Sequence, residues 1–433
     1  MKRKIFVELE RWRAAEGRMP LVLHGARQVG KTHILKEFGA RYYEEVVYVN
    51  LETNITVNEF FEQDISPLKI IQFLEVYSSV RILPEKTLII FDEIQSCERS
   101  LLSLKYFCED APEYHVAAAG SLVGVAINRQ KYSFPVGKVF ELKMFPMDFE
   151  EFLWATGNNI LGEQIKEHYE LNKEIALPLH MKGTELYQQY VICGGMPAVV
   201  KKFIDTNSLV AANEIQGMIL NEYIADMAKY SSPSTSVKIR SCYKSIPVQL
   251  GKENKKFQYK IVQKGGTSSI FGEAIEWLIS AGVVLKCMKI DSAFIPVAAY
   301  ADLSDFKLYM SDVGMLTMLS GMPQQLIMSS IQENNMFLGA IAENFVAQQF
   351  WSKDYALHYW KNHNTAEVDF VLQLDDKIIP VEVKKGKRSK STSLRVFSAQ
   401  YKSNYAIRIS LKNFGFENNI KSVPLYAVFC IEK

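Results

Sequence analysis

The stretch Gly25-Ala-Arg-Gln-Val-Gly-Lys31-Thr32 decides the fold of the N-terminal region. Its spacing of glycine, four residues, glycine, lysine and threonine is that of a phosphate-binding loop. The apolar run Leu21–Leu23 precedes it, and a helix-compatible stretch, 33–38, follows it. This order predicts a strand, a loop and a helix whose backbone N–H groups point at phosphate oxygens. A chance match in a glycine-containing turn is the alternative, and the flanking segments argue against it.

The motif predicts individual roles for its residues in binding ATP and Mg²⁺. Lys31 is expected to reach the β- and γ-phosphates and to act in catalysis, and the Thr32 hydroxyl is expected to ligate Mg²⁺. The residues predicted to contact the nucleotide are Gly25, Arg27, Gln28, Val29, Gly30, Lys31, Thr32 and His33.

A second apolar run, Thr87-Leu-Ile-Ile-Phe-Asp92-Glu93, ends in two carboxylates. Continuous apolar runs are typical of buried parallel strands, and ligands bind at the carboxyl ends of such strands. We therefore expect Asp92 to support the Mg²⁺ and Glu93 to polarise the attacking water. The alternative is an ordinary strand that ends in acidic residues.

Three further strands complete the prediction for this region. The segment His115–Ser121 places Ser121 at a strand end, where it is either a sensor of the γ-phosphate or a helix N-cap or turn serine. Val46–Val49 is predicted to lie beside the first strand, and Val139–Phe145 to be the last strand. Strands that alternate with helical segments predict a parallel α/β sheet, here that of a P-loop NTPase.

Four segments, 25–32, 89–95, 118–121 and 145–152, together resemble the AAA-type ATPases. They are most similar to a prokaryotic family that joins such an ATPase to an uncharacterised C-terminal region. The resemblance implies ATP hydrolysis, and a homo-oligomer where a neighbouring subunit supplies an arginine finger. This chain has Gly137-Lys138 where the family has Gly-Arg, so the finger is not identified, and Arg129 is a candidate substitute.

Length and composition indicate the number of domains and the compartment of the protein. A chain of 433 residues is expected to hold about two to four domains. We expect an ATPase domain over 1–150, a helical subdomain over 151–234, a winged-helix-like domain over 235–330 and an α/β domain over 331–433. Six cysteines without a C-x-x-C spacing argue for reduced thiols and a cytoplasmic protein. No apolar run approaches a membrane span, so no membrane partner is expected.

The region 235–320 is predicted to contain small helices followed by short strands, a pattern that resembles a winged helix. Some winged helices bind DNA and others mediate protein contacts. The segment 270–284 lacks a cluster of Arg and Lys and carries Glu273 and Glu276 instead. A packing or protein-contact role is therefore favoured for its helix.

The last domain carries a second constellation of charged residues. Glu367 and Asp369 are two apart, as are Glu382 and Lys384, and residues two apart on a strand share a face. The turn Asp375-Asp376 predicts a hairpin that brings both pairs together. Two carboxylates that hold Mg²⁺ and a lysine that activates water suit phosphodiester cleavage.

This constellation resembles the restriction-endonuclease-like nuclease superfamily. The resemblance implies that Asp369, Glu382 and Lys384 are catalytic, that Asp369 and Glu382 bind the metal, and that Glu343 is a helical acid of the same site. Two alternatives stay open: a hairpin with a solvated charged face, and a nuclease fold that has lost its activity.

The charge distribution points to an anionic partner. From Lys384 to the C-terminus there are 11 Lys and Arg against two Asp and Glu, although the whole chain carries only +2. The run 384–390 suits a nucleic-acid backbone, and a solvated loop is the alternative. The sequence thus predicts an Mg²⁺-dependent ATPase coupled to a nucleic-acid-binding, nuclease-like domain. The competing prediction is a nucleotide-gated switch with an inactive nuclease-like fold.

Overall fold

A computed structural model describes residues 1–121, 135–229, 232–329, 335–362, 366–384, 386 and 392–432. The chain forms two compact units. One comprises Lys2–Phe145 with Ser280–Gly282, and the other comprises Pro146–Ile279 and Val283–Lys433 together with Met1. None of the described helices combines the length and the apolar character that crossing a bilayer requires.

The first unit is built on a five-stranded sheet in which every neighbouring pair of strands is parallel. The strands are β1 (Leu21–His24), β2 (Glu45–Asn50), β3 (Thr87–Asp92), β4 (His115–Gly120) and β5 (Phe140–Lys143). The helices are α1 (Ile5–Ala14), α2 (Lys31–Tyr42), α3 (Ile55–Gln63), α4 (Pro67–Ser78) and α5 (Glu98–Asp110). Strands β3 and β4 are buried along their whole length, as their apolar runs predict.

The sheet order is β2-β3-β4-β1-β5. The prediction that β2 lies beside β1 is therefore wrong, because β3 and β4 lie between them. The apolar character of β2 requires burial against neighbours but does not specify which neighbours. Strand β1 is flanked by β4 and β5, so the chain order reverses beside it, and such a switch point is where α/β sheets bind ligands.

The second unit begins with helices. They are α6 (Phe149–Ala155), α7 (Asn159–Leu171), α8 (Leu177–Cys193), α9 (Pro197–Thr206), α10 (Leu209–Lys229) and α11 (Pro233–Leu250). Asp148 and Glu151 form a capping box that starts α6. Gly194, with φ 70°, ends α8. The region after residue 235 was predicted to begin with small helices. This prediction is wrong for the first helix, because α11 is 18 residues long.

A four-stranded sheet follows, in the order β7-β6-β8-β9. Its strands are β6 (Val284–Ile290), β7 (Ala301–Met310), β8 (His358–Lys361) and β9 (Glu367–Val368). The helices of this part are α12 (Tyr259–Val262), α13 (Ser268–Ser280), α14 (Val313–Ser320), α15 (Gln324–Met328) and α16 (Met336–Trp351). Because β6 pairs with β8, one sheet contains strands from both sides of residue 330.

The last sheet has the order β10-β11-β12-β14-β13. Its elements are β10 (Phe370–Leu374), β11 (Lys377–Val383), α17 (Thr392–Tyr401), β12 (Ala406–Ser410), β13 (Gly415–Glu417) and β14 (Ile420–Pro424). The antiparallel pairing of β10 with β11 confirms the hairpin predicted around Asp375-Asp376. Helix α16 is buried from Ala340 to Phe350.

Candidate functional site

The phosphate-binding loop joins β1 to α2 and rests against the end of β5. Gly25 has φ 151° and Gly30 has φ 97°, and Gln28 between them has φ 64°. A Cβ atom on Gly25 would lie 2.1 Å from the carbonyl oxygen of Met144, so this position accepts only glycine without a backbone shift. The tight curl of the loop thus depends on the glycine spacing of the motif.

Arg3 fixes the same loop from the N-terminal segment. Its Nη1 donates to the carbonyl of Val29 at 2.9 Å, and its Nη2 donates to the carbonyl of Phe145 at 2.7 Å. The loop and the end of β5 are thereby joined through one buried guanidinium. Sequence reasoning missed Arg3, because a single arginine ahead of a short helix gives no local signal of a contact 142 residues away.

The Lys31 side chain is buried beneath the loop. Its Nζ donates to the carbonyl oxygens of Gly25 at 3.0 Å and Ala26 at 2.7 Å. Burial lowers the pKa of Lys31 to about 8, and the carboxylates of Glu93 and Asp92 oppose this shift. The loop thus holds the Lys31 ammonium on its own carbonyl oxygens.

Asp92 connects the loop to the end of β3. Its Oδ2 accepts from the Thr32 hydroxyl at 2.7 Å and from the Tyr48 hydroxyl at 2.9 Å, and its Oδ1 accepts from the backbone N–H of Glu93 at 3.0 Å. Burial and the neighbouring Asp92 charge raise the pKa of Tyr48 to about 12. A hydroxyl and a carboxylate that touch each other are the hard oxygen donors that Mg²⁺ prefers, so this pair fits the metal.

Tyr48 was not predicted as a site residue. It lies on β2, whose residue Asn50 pairs with Asp92 across the sheet. The hydroxyl of Tyr48 within the apolar run Val46–Val49 is a weak indication of a site residue. The strand order that places it beside β3 was predicted wrongly.

The other predicted nucleotide-site residues lie at or near the same edge. Glu93 has φ 53°, and its Oε2 accepts from the Gln95 side chain at 2.5 Å. Ser121 follows β4 directly, and its buried Oγ has no hydrogen-bond partner within the described ranges. His33 is exposed, with its Nε2 3.4 Å from Glu37. Arg129 lies outside the described residues.

The C-terminal constellation surrounds Glu343, which is buried on α16. One of its carboxylate oxygens, Oε1, is 3.0 Å from the ammonium of Lys307 and accepts from the Tyr309 hydroxyl, and the other oxygen accepts from Lys255. Burial works against this charge, but Lys255 and Lys307 outweigh it and hold the pKa of Glu343 below its usual range. Glu343 is thus an ion-paired carboxylate with both oxygens occupied.

Lys307 extends this pairing to a second acid. Its Nζ is 2.8 Å from Glu367 Oε1, while Glu367 Oε2 is 3.0 Å from Lys361. The ammonium also lies 4.7 Å from the ring centre of Tyr359, within cation–π range. Burial disfavours the charged form, yet Glu343, Glu367 and Asp369 hold the pKa of Lys307 well above its usual value.

The three predicted nuclease-like residues, Asp369, Glu382 and Lys384, meet at the end of β11. Asp369 Oδ2 accepts from the backbone N–H of Val383 at 2.8 Å, and Glu382 Oε1 is 3.0 Å from Lys384. Burial and the Glu343 charge raise the pKa of Asp369. No group of three or more His, Cys, Asp or Glu side chains within the described residues has an arrangement that could hold a metal ion.

Family comparison covers three parts of the chain. Residues 17–153 match the family model described as an AAA domain. Residues 184–326 and 338–428 match two domains of unknown function, DUF8612 and DUF4143. The N-terminal region is an AAA-type P-loop domain. A comparison with curated proteins gave no match.

Several solved structures are distantly similar to the chain. The Walker-type ATPase of Pyrococcus abyssi is 16% identical, over 74% of this chain and 95% of that one, with a TM-score of 0.44. The ORC2 protein of Aeropyrum pernix is 12% identical, over 78% and 94%, with a TM-score of 0.34. AMPPCP-bound DnaA from Aquifex aeolicus is 15% identical, over 64% and 89%, with a TM-score of 0.28. These likenesses are too remote to support an inference about function.

The AAA domain confirms the resemblance stated for the N-terminal region. The winged-helix-like and restriction-endonuclease-like folds stay predictions, because the families matched there have no described function. Of the basic run 384–390, residues 385 and 387–390 lie outside the described ranges.

Proposed function

We propose that the AAA domain binds ATP with Mg²⁺ and hydrolyses it. The observation that carries this proposal is the hydrogen bond of 2.7 Å between Thr32 on the loop and Asp92 at the end of β3. The preceding residue, Lys31, holds its ammonium on the loop carbonyls of Gly25 and Ala26. Two segments 60 residues apart thereby present a hydroxyl, a carboxylate and an ammonium group at one edge of the sheet.

Each residue has a defined part in this function. On ATP binding, Lys31 exchanges the carbonyls of Gly25 and Ala26 for phosphate oxygens, while the loop N–H groups hold the phosphates. Thr32 and Asp92 hold Mg²⁺, which supplies neutralisation of phosphate charge when it is bound. Tyr48 keeps the Asp92 carboxylate in place through its hydrogen bond.

Hydrolysis requires a group that positions water. Glu93 is next to Asp92 and carries a carboxylate that orients the attacking water and accepts its proton. Ser121, at the end of β4, is the candidate that contacts the γ-phosphate. An arginine finger is not assigned.

Two variants separate binding from hydrolysis. Lys31→Ala is expected to weaken ATP binding by about 100-fold, which corresponds to roughly 3 kcal/mol for a lost charge-assisted interaction. Glu93→Gln is expected to bind ATP and to lose turnover. Glu59→Gln, an exposed acid of the same unit, is the matched control. Equilibrium binding and phosphate release are the measurements, and wild-type turnover in Glu93→Gln would contradict the assignment.

The basic C-terminal region suggests a second function, namely nucleic-acid binding governed by the nucleotide. It is supported by the 11 Lys and Arg against two Asp and Glu from Lys384 onward. The affinity for DNA is expected to differ between ATP, ADP and no nucleotide. Equal affinity in all three states contradicts the coupling, whereas a single turnover with tight retention of ADP favours the nucleotide-gated switch.

A further inference from the structure

The C-terminal cluster contains a lysine in a place that is costly for a charge. The side chain of Lys307 is 1% exposed, and its ammonium lies between Glu343, at 3.0 Å, and Glu367, at 2.8 Å. A buried charge persists only when opposite charges compensate it. The ammonium is therefore an integral part of the cluster and pairs with both acids.

Among the described residues, the cluster contains as many ammonium groups as carboxyl groups. Its carboxylates are Glu343, Glu367, Asp369 and Glu382. Its ammonium groups are Lys255, Lys307, Lys361 and Lys384. A divalent cation would add two positive charges to a set of groups that already has one lysine for each acid.

Most of the oxygen atoms that a metal ion needs already have donors. Both oxygens of Glu343 accept hydrogen bonds, Asp369 Oδ2 accepts from the Val383 backbone, and Glu382 Oε1 is paired with Lys384. Glu382 Oε2 is buried without a hydrogen-bond partner among the described residues. Mg²⁺ is usually held by one or two carboxylates with water completing its shell, so an ion at this place would compete with Lys384 and the Val383 N–H for Glu382 and Asp369.

We propose that the Lys307 ammonium takes the place of a divalent cation in this cluster, so that the cluster binds no metal ion and performs no metal-dependent phosphodiester cleavage. The positive charge comes from β7 and holds together the acids of α16 and β9. The cluster is then an internal ionic cross-link within the second unit. The spacing typical of a nuclease site is retained, but its residues stabilise the fold and do not catalyse cleavage. These residues are Glu343, Asp369, Glu382 and Lys384.

Removal of the internal cation tests the proposal. Lys307→Met keeps the length of the side chain and removes its charge, so the acids are expected to recruit one Mn²⁺ per chain more than the wild type, measured from the electron paramagnetic resonance signal of free Mn²⁺. Lys361→Met is the matched control, because Lys361 pairs with the same Glu367 but is 39% exposed. The control and the wild type are expected to take up one Mn²⁺ per chain fewer than Lys307→Met, so any Mn²⁺ held by Thr32 and Asp92 cancels in the comparison. Nucleotide is omitted, so the result does not depend on ATP binding.

A second measurement uses the wild-type chain and does not require the variant to fold. Supercoiled DNA incubated with the protein and Mn²⁺ or Mg²⁺ is expected to remain uncut. The proposal is overturned by wild-type Mn²⁺ uptake that Asp369→Asn abolishes, or by metal-dependent nicking that Glu382→Ala abolishes. A folded Lys307→Met protein that takes up no more Mn²⁺ than the wild type also overturns it.

Discussion

Lys31 is a buried lysine whose charge depends on pH within an accessible range. Burial lowers its pKa to about 8, so its ammonium loses the proton as the pH rises through that value. ATP binds to the protonated form, because a neutral amine offers no charge to the phosphates. The ATP dissociation constant is therefore expected to rise about tenfold for each pH unit above 8.

Fluorescence titration with an ATP analogue between pH 7 and 9.5 measures this dependence. Lys31→Arg is the control, because a guanidinium keeps its charge over the whole range and its residual affinity should not change with pH. A wild-type dissociation constant that stays level up to pH 9.5 would show that Lys31 is not the ionising group.

At the residue scale, local spacing predicted Lys31, Thr32 and Asp92 and placed them at one edge of the sheet. Arg3 and Tyr48 could not be predicted in this way. Each acts through a contact between distant segments, 142 residues for Arg3 with Phe145 and 44 residues for Tyr48 with Asp92. The sequence near Arg3 or Tyr48 does not indicate such a contact. The contact can be inferred only when the order of the strands in the sheet is known.

The segment from β1 through the phosphate-binding loop to α2 depends on a close contact with the chain at the end of β5. Gly25→Ala would drive a Cβ atom to 2.1 Å from the carbonyl oxygen of Met144, and backbone atoms cannot move away as a flexible side chain does. We expect a loss of unfolding free energy of more than about 3 kcal/mol, at the upper end for a forced overpacking, together with loss of ATP binding.

Gly17→Ala is the matched control for this prediction. Gly17 also has a positive φ, 65°, but a Cβ atom there meets nothing within 4 Å. It should cost about 1 kcal/mol from backbone strain alone and leave ATP binding intact. Urea denaturation of both variants gives the comparison, and equal losses would mean that the contact with Met144 does not limit the loop.

At the element scale, apolar runs and turn residues predicted β3, β4 and the hairpin of β10 with β11. They did not predict that β3 and β4 separate β2 from β1, because hydrophobicity specifies burial and leaves the pairing open. They also did not predict the role of β7. Its Lys307 contributes to a cluster whose acids lie 36 and 60 residues further along the chain.

At the scale of the whole molecule, the second unit is tied together across residue 330. Strand β6 pairs with β8, and Lys255 and Lys307 pair with Glu343. The sequence predicted a boundary there from the pattern of helices and strands, and such a pattern does not record ion pairs or the pairing of strands. The predicted domains 235–330 and 331–433 thus share a sheet and an ionic cluster.

These shared contacts predict how fragments of the chain behave. The fragment 331–433 lacks Lys255 and Lys307, so Glu343 would remain buried without its cations, a change that costs about 3–5 kcal/mol when one side of a buried pair is removed. Strand β8 would also lose β6. We expect this fragment to show no cooperative thermal transition by circular dichroism. The fragment 146–433 retains both lysines and β6, and it should unfold cooperatively. A sharp transition in 331–433 alone would show that the cluster is not needed for the C-terminal region to fold.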